Sequence, residues 1–171
     1  MQAIINTERL VLRPFKQSDA KRVAQLAGDK RISEMTKNIP YPYSEDMAIE
    51  WIATHPAQFA SGHSVVYAIT TIECDDVIGT LGFVDINEGV GTLGYWLGVD
   101  FWGQGFAPEA VKGLVHYYQN EKGLKGLEAT HFVENSRSRA VIEKLGLQYV
   151  EDTQIEVRGE QRTISVHRVR F

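Results

Sequence analysis

The stretch Leu93–Tyr118, LGYWLGVDFWGQGFAPEAVKGLVHYY, decides the fold. Leu93 to Val99 is an apolar, aromatic-rich run with glycines inside it, the composition of a strand buried on both faces. Asp100 to Phe106 holds two glycines one residue apart, Gly103 and Gly105. From Ala107 the period turns helical, with Ala107, Ala110, Val111, Leu114, Val115 and Tyr118 on one face. The N–H groups of a first helical turn lack intrahelical partners, and the helix dipole is positive there. Glycines let that backbone approach a ligand without intervening Cβ atoms. A strand, a glycine turn and a helix start therefore make an anion site, most often one for phosphate or pyrophosphate. Pro108 suits the first helical positions, where its missing N–H costs little.

Several phosphate loops compete for this turn. A nucleotide loop of the Walker type ends in Gly-Lys-Ser/Thr, whereas Gly105 is followed by Phe106 and Ala107, which excludes it. A dinucleotide fingerprint starting at Gly103 wants a small residue at position 108 and an acid closing the next strand. Here Pro108 stands at the first place, and Glu128 opens that strand instead of closing it. A loop for the pyrophosphate of coenzyme A and a plain tight turn before a core helix both remain open.

The remainder of the chain reads as one domain. Its 171 residues suit a single core, and 43% hydrophobic with 23% charged residues is an ordinary globular balance. A net charge of −4 speaks against nonspecific nucleic-acid binding and mildly favours cationic substrates. The single Cys74 excludes an internal disulfide and a multi-cysteine metal site, so no metal is expected. Its neighbours Glu73, Asp75 and Asp76 oppose a thiolate. No basic-then-apolar leader and no apolar run of membrane length occur, which sets a cytoplasmic expectation with no membrane partner.

In chain order, Arg9 to Arg13 alternates as a strand stopped by Pro14. Ser18 precedes a helix carrying Ala20, Val23, Ala24 and Ala27, with Gly28 as its stop. A weakly patterned stretch ends in Ile39-Pro-Tyr-Pro-Tyr43, and Ser44 is placed to cap a second helix with an incomplete capping box at Met47. Val65 to Ile72 and Val77 to Val84 predict two strands around the acidic turn Glu73 to Asp76. Leu127 to Val133 follows the Leu93 strand through a helix, so the two run parallel. Asn135 starts a short helix to Leu145, Leu147 to Val150 is a strand, and Ile155 to Phe171 a hairpin turning near Arg158-Gly159-Glu160. The sum is one α/β domain, a mixed sheet with helices on both faces.

DFWGQGFAPEAV resembles motif A of the GNAT acetyltransferases, Gln/Arg-x-x-Gly-x-Gly/Ala, with Trp102 standing at the first position. TERLVLRPFKQSD, Thr7 to Asp19, and NSRSRAVIEKLGL, Asn135 to Leu147, resemble segments of the branch that acetylates N-terminal alanine or serine of ribosomal proteins. The resemblance implies a splayed, mostly antiparallel GNAT-like sheet and acetyl-CoA as cosubstrate. It assigns coenzyme contacts to Leu97 and Val99 in the splayed strand, to Gln104, Gly105, Phe106 and Ala107 in the loop, and to Asn135. It leaves Ile142 where many relatives carry a tyrosine acid and gives Ser138 the task of protonating the leaving thiolate. Glu156 is the expected base, with Glu134 and His131 as runners-up.

Arg137, Arg139 and Lys144 are offered for the 3′-phosphate, and Asn135 has the competing task of capping its own helix. Pro40 to Asp46 and the C-terminal hairpin are expected on the acceptor side, with Tyr41, Tyr43 and Trp51 lining it and Glu45 or Asp46 drawing in an amine. The expected activity is N-acetylation of a primary amine, first that of a ribosomal protein's N-terminus. A polyamine or antibiotic acetyltransferase and a CoA-binding module without turnover are the alternatives, in a monomer or a homodimer.

Overall fold

The computed structural model describes residues 1–171. Eight strands form one sheet in the order β1-β2-β3-β4-β5-β6-β8-β7. They are β1 Ile5–Asn6, β2 Leu10–Arg13, β3 Val65–Thr71, β4 Cys74–Asn87, β5 Val90–Leu97, β6 Gly126–Phe132, β7 Gln148–Val157 and β8 Glu160–Arg170. Five helices flank them: α1 Ala20–Ala27, α2 Lys30–Met35, α3 Glu45–Ser61, α4 Phe106–Lys122 and α5 Ser136–Lys144. Only β5 and β6 pair parallel, as the helical crossover through α4 requires.

The two faces carry separate cores. One unites Leu10, Leu12, Val65, Tyr67, Ile69, Leu81 and Phe83 with the α4 stripe Ala107, Ala110, Val111, Leu114 and Tyr118. The other joins Ala20 and Val23 of α1 and Ala48 and Ile52 of α3 to Ala68 and Val77. Strand β5 touches both cores but is fully buried on one face only, which corrects the expectation of a strand buried on each face. Leu93 and Leu97 are buried towards α4, while Trp96 is half-buried on the α1 and α3 side. The strand also starts earlier and stops sooner than the sequence suggests. Val99 belongs to a 3-10 turn, Val99–Phe101, because Gly98 breaks the extended run.

β5 and β6 pair only from Val90↔Gly126 to Leu93↔Ala129. Beyond that register β5 runs on to Leu97 and β6 to Phe132 without meeting, so the sheet splays. This opening positions the site.

Other differences have local causes. Helix α2 was hidden in the unpatterned stretch because six residues are too few to show a period. Its start is set by Asp29, whose carboxylate accepts from the Arg31 N–H at 3.0 Å. Ser18 does not cap α1. Asp19 instead accepts from the Lys16 N–H at 2.8 Å and from both Nη atoms of Arg13 at 2.8 and 3.0 Å. Arg13, buried at the end of β2, also reaches Asp75 at 2.6 Å, so the buried charge is paired on two sides. The Ser44 hydroxyl accepts from the Met47 N–H at 3.3 Å, and the Met47 thioether faces the Ser44 N–H at 3.4 Å, a weak completion of the capping box. The turn between β3 and β4 is tighter than expected, since Cys74 to Asp76 already belong to β4.

His55 of α3 is buried against the Trp51 and Phe15 rings, with centroids 4.4 and 5.3 Å away and neither ring nitrogen hydrogen-bonded. Burial pushes its pKa from the ordinary 6.5 down to about 4. Below 6.5 the unfolded chain binds a proton that folded His55 refuses, so stability falls as pH drops through this window. The slope for one such group is about 1.4 kcal/mol per pH unit. Urea midpoints should therefore fall between about pH 6.5 and about pH 5, above the range where carboxylates titrate. His55→Leu should flatten that slope, and an unchanged slope would acquit His55.

Candidate active site

The splay opens a cleft of about 600 Å³ that crosses the sheet between α4 and α5 on one face and α1 to α3 on the other. Its backbone chemistry follows from strand alternation. The Gly98 N–H donates to the Ile78 carbonyl at 2.8 Å, and Leu97 lies opposite Gly79. In an antiparallel ladder this turns the N–H and C=O of Leu97, and of Tyr95 two residues earlier, away from β4 and into the gap. The Trp102 indole N–H takes the Leu97 carbonyl at 2.9 Å. The Leu97 N–H and both Tyr95 groups are left without a neighbouring strand, as on an exposed sheet edge.

The glycine loop borders this edge. Gly103 and Gly105 have φ of +72° and +78°, which only glycine adopts without strain, and Gly105 caps α4. The loop is held by a residue a hundred positions away. One Glu109 oxygen accepts from the Thr7 hydroxyl at 2.6 Å and the Arg9 N–H at 2.7 Å, and the other from Arg9 Nε at 2.7 Å. Arg9 also donates to the Gln104 carbonyl at 3.0 Å and lies 4.6 Å above the Phe106 ring. Burial would raise the Glu109 pKa, yet these donors from Thr7 and Arg9 hold it below the usual carboxylate value.

On α5, Asn135 accepts the Ser138 N–H at 3.2 Å, which leaves its NH₂ group unspent by the cap. The Ser138 hydroxyl lies 3.0 Å from the Tyr95 hydroxyl. Burial raises the Tyr95 pKa against a lesser lowering by Ser138, so the phenol keeps its proton at neutral pH. Arg137 stacks 3.4 Å from the Trp102 ring centroid, joining α5 to the loop between β5 and α4.

Of the residues singled out in the sequence, Leu97, Gly105, Phe106, Ala107, Asn135 and Ser138 line the cleft together. Gln104, Val99 and Glu156 do not. The Gln104 amide turns back to the Asp100 carbonyl at 3.0 Å. Glu156 stands exposed on β7, opposite Gln161 of β8. Glu134 is paired with Arg162, which holds its pKa low behind its own backbone hydrogen bond. His131 lies in the cleft wall, but Nδ1 bonds the Phe132 carbonyl at 2.7 Å and Nε2 faces His167 at 3.2 Å. On the acceptor side Tyr43 and Trp51 line the cleft, whereas Tyr41, Glu45 and Asp46 lie outside it. Arg139 is taken by Glu143 at 2.8 Å, which leaves Arg137 and Lys144 as the α5 cations in the wall. Tyr95 was missed because a tyrosine in a strand reads as core; only the splay shows that its hydroxyl meets α5.

No aspartate or glutamate lines the cleft at all. No group of three or more His, Cys, Asp or Glu side chains is placed to hold a metal. No helix is long and apolar enough to cross a membrane.

Residues 9–148 match the acetyltransferase (GNAT) domain family. The uncharacterized N-acetyltransferase p20 of Bacillus licheniformis is 33% identical over 144 residues, 83% of this chain and 80% of that protein. The FsC-acetyl coenzyme A-N(2)-transacetylase of Aspergillus fumigatus is 27% identical over 167 residues, 88% of this chain and 67% of that one. Among solved structures, RimL, a ribosomal alpha-N-protein acetyltransferase in complex with coenzyme A, superposes with a TM-score of 0.89 at 19% identity, covering 98% of each chain. The microcin C7 self-immunity acetyltransferase MccE, in complex with acetyl-CoA and AMP, gives 0.86 at 16% identity over 96% of this chain and 93% of that one. At such identities the likeness is one of fold.

Glu109→Ala should cost about 1–3 kcal/mol, because it strands the Thr7 hydroxyl, the Arg9 N–H and the Arg9 guanidinium together. Chemical denaturation measures it, and a loss below about 0.5 kcal/mol would show that the loop stands without this clamp.

Proposed function

The chain belongs to the GNAT acetyltransferase family, and from that membership we propose that it moves the acetyl group of acetyl-CoA to the N-terminal amine of a protein. A ribosomal protein is the first candidate, by the sequence resemblance and the fold shared with RimL. The observation that carries the donor half is the unpaired edge of β5 running into a glycine-capped helix start. The Leu97 N–H and the Tyr95 backbone groups suit the amides of a pantetheine chain laid in the gap as an extra strand. The N–H groups of Gly105, Phe106 and Ala107 suit a pyrophosphate. Arg137 and Lys144 add cations that no carboxylate neutralises.

Acetyl-CoA supplies the activated thioester; the chain supplies position and protons. Holding an amine against a thioester carbon is worth on the order of 7–11 kcal/mol. As the nitrogen bonds to the carbonyl carbon and the C–S bond breaks, Ser138 gives its hydroxyl proton to the leaving sulfur. Tyr95 reprotonates Ser138 across 3.0 Å and recovers its own proton from solvent. A phenol behind a serine is a better proton source than the serine alone, since an alcohol by itself is a very weak acid. The proton shed by the amine passes to water in the cleft, because no carboxylate lines it; Glu156 takes part only at the end of a water chain.

The same lining disfavours polyamines and aminoglycosides, polycations that need carboxylate walls. Release of CoA thiol should therefore be confined to peptides with N-terminal Ala, Ser or Met. Turnover of small polycations alone would sink this reading. Ser138→Ala and Tyr95→Phe should each lower kcat by about 10²-fold with acetyl-CoA binding nearly unchanged, a split that a merely structural role would not give. Undiminished kcat in both would overturn the Ser138–Tyr95 proton relay while leaving acetyl transfer itself in place.

A further inference from the structure

Lys37 carries a charge that the proposed reaction does not use. It follows α2 on the side of the cleft opposite α4 and α5, and its Nζ donates to the Thr130 hydroxyl at 2.7 Å. Thr130 comes directly after Ala129, the last β6 residue paired with β5, so the ammonium sits where the two strands part. It is fixed from behind as well. Arg158, at the tip of the β7–β8 hairpin, donates to the carbonyls of Lys37 at 3.1 Å and Ile39 at 3.2 Å. It also donates to those of Ser33 at 2.8 Å and Thr36 at 3.2 Å. Arg162 of the same hairpin reaches the Glu34 carbonyl at 3.3 Å.

An ammonium has three donors and Thr130 accepts from one, so two remain for a ligand. No carboxylate lies within ion-pair distance of Lys37. Glu128, whose field reaches it, is held by Arg168 at 2.5 Å, and Arg31, also in the cleft wall, is held by Asp29 at 2.7 Å. The surroundings on this side are apolar and aromatic: Ile32, Met35, Ile39, Tyr43, Trp51 and Trp96. A cation fixed on such a wall repels an incoming ammonium and attracts an anion carried by the substrate, its exposed side chain remaining open to solvent.

We propose that Lys37 selects the acceptor, taking N-termini that carry an aspartate or glutamate at the second or third residue. This rests on the reading of the acceptor as a protein N-terminus and narrows it. The acidic side chain would pair with the two free Lys37 donors, while the amine, one or two residues away, is held off the cation and turned towards the Ser138 side. The aromatic and aliphatic wall covers the intervening side chains.

The test uses the full chain with acetyl-CoA and peptides matched except at residues two and three, bearing Asp or Glu, Asn or Gln, or Lys. Acidic peptides should exceed their amide counterparts by at least about tenfold in kcat/KM, mainly through KM, the worth of one charge-assisted hydrogen bond. Lys37→Met should erase that preference, Lys37→Arg restore most of it, and Lys37→Glu turn it towards the lysine peptides. Equal rates for acidic and amide peptides would overturn the role of Lys37 while leaving the protein N-terminus as acceptor. Turnover of small amines with no peptide accepted would overturn both together.

Discussion

Two neighbouring strands that begin in register and then part set the terms for everything else in this molecule. Between Leu93 and Ala129 the parallel ladder ends, and each strand continues with backbone groups that the other no longer satisfies. Polar backbone left beside apolar surroundings is costly unless something pairs it. A closed sheet would have removed that cost and the cleft with it. The splay persists because each side is anchored independently: β5 to β4 along its whole length, β6 to β8 from Gly126 to Phe132. These unpaired groups are the ones that the proposed pantetheine strand would satisfy.

Long-range arginines hold the two rims of this opening. On the donor rim, Arg9 and Glu109 tie the start of α4 to β2, so the glycine loop is referenced to the sheet although Gly103 and Gly105 have no Cβ of their own to pack. On the opposite rim, Arg158 collects four carbonyls from α2 and the segment after it. These carbonyls include those at the end of a six-residue helix, whose last turn has no partners of its own. Both devices set a guanidinium fork against several oxygens, a geometry one ammonium could not match.

This division explains what the sequence could tell. The glycine turn, the helix stripe of α4, the Ser44 and Asn135 caps and the parallel relation of β5 to β6 are local or nearly local, and each was legible. The splay followed from the resemblance to a family, not from any period in the chain, and the full order of the strands needed the structure. The role of Glu109 was not legible, because its partners Thr7 and Arg9 are a hundred residues away. Helix α2 is too short to show a period, and the partner of its C-terminal carbonyls, Arg158, lies more than a hundred residues away. The Tyr95–Ser138 contact also needed tertiary structure, since it joins a strand to a helix 43 residues later. Acidic residues near the expected acceptor segment misled most: Glu45 and Asp46 belong to the first turn of α3, where the helix dipole favours them, and do not line the cleft.

The net charge of the chain and the charge of its cleft have opposite signs. Net −4 suggested cationic substrates, yet the cleft wall contains Arg31, Lys37, Arg137 and Lys144 and no carboxylate. The acidic surplus therefore lies elsewhere on the surface, where solvent and salt screen it. Inside a partly apolar cleft the same unit charges act at lower effective dielectric and outweigh the remote surplus. Local sign thus decides what enters. Arg137 and Lys144 flank the α4 entrance, where a polyanionic donor would bring most of its charge. On the far side Arg31 is already paired with Asp29, so Lys37 is the cation there without a carboxylate partner, and a single anion would match it. On the proposed reading that asymmetry would give the cleft a direction, with the polyanionic donor at one end, a singly charged acceptor at the other, and the paired hydroxyls of Tyr95 and Ser138 in its wall.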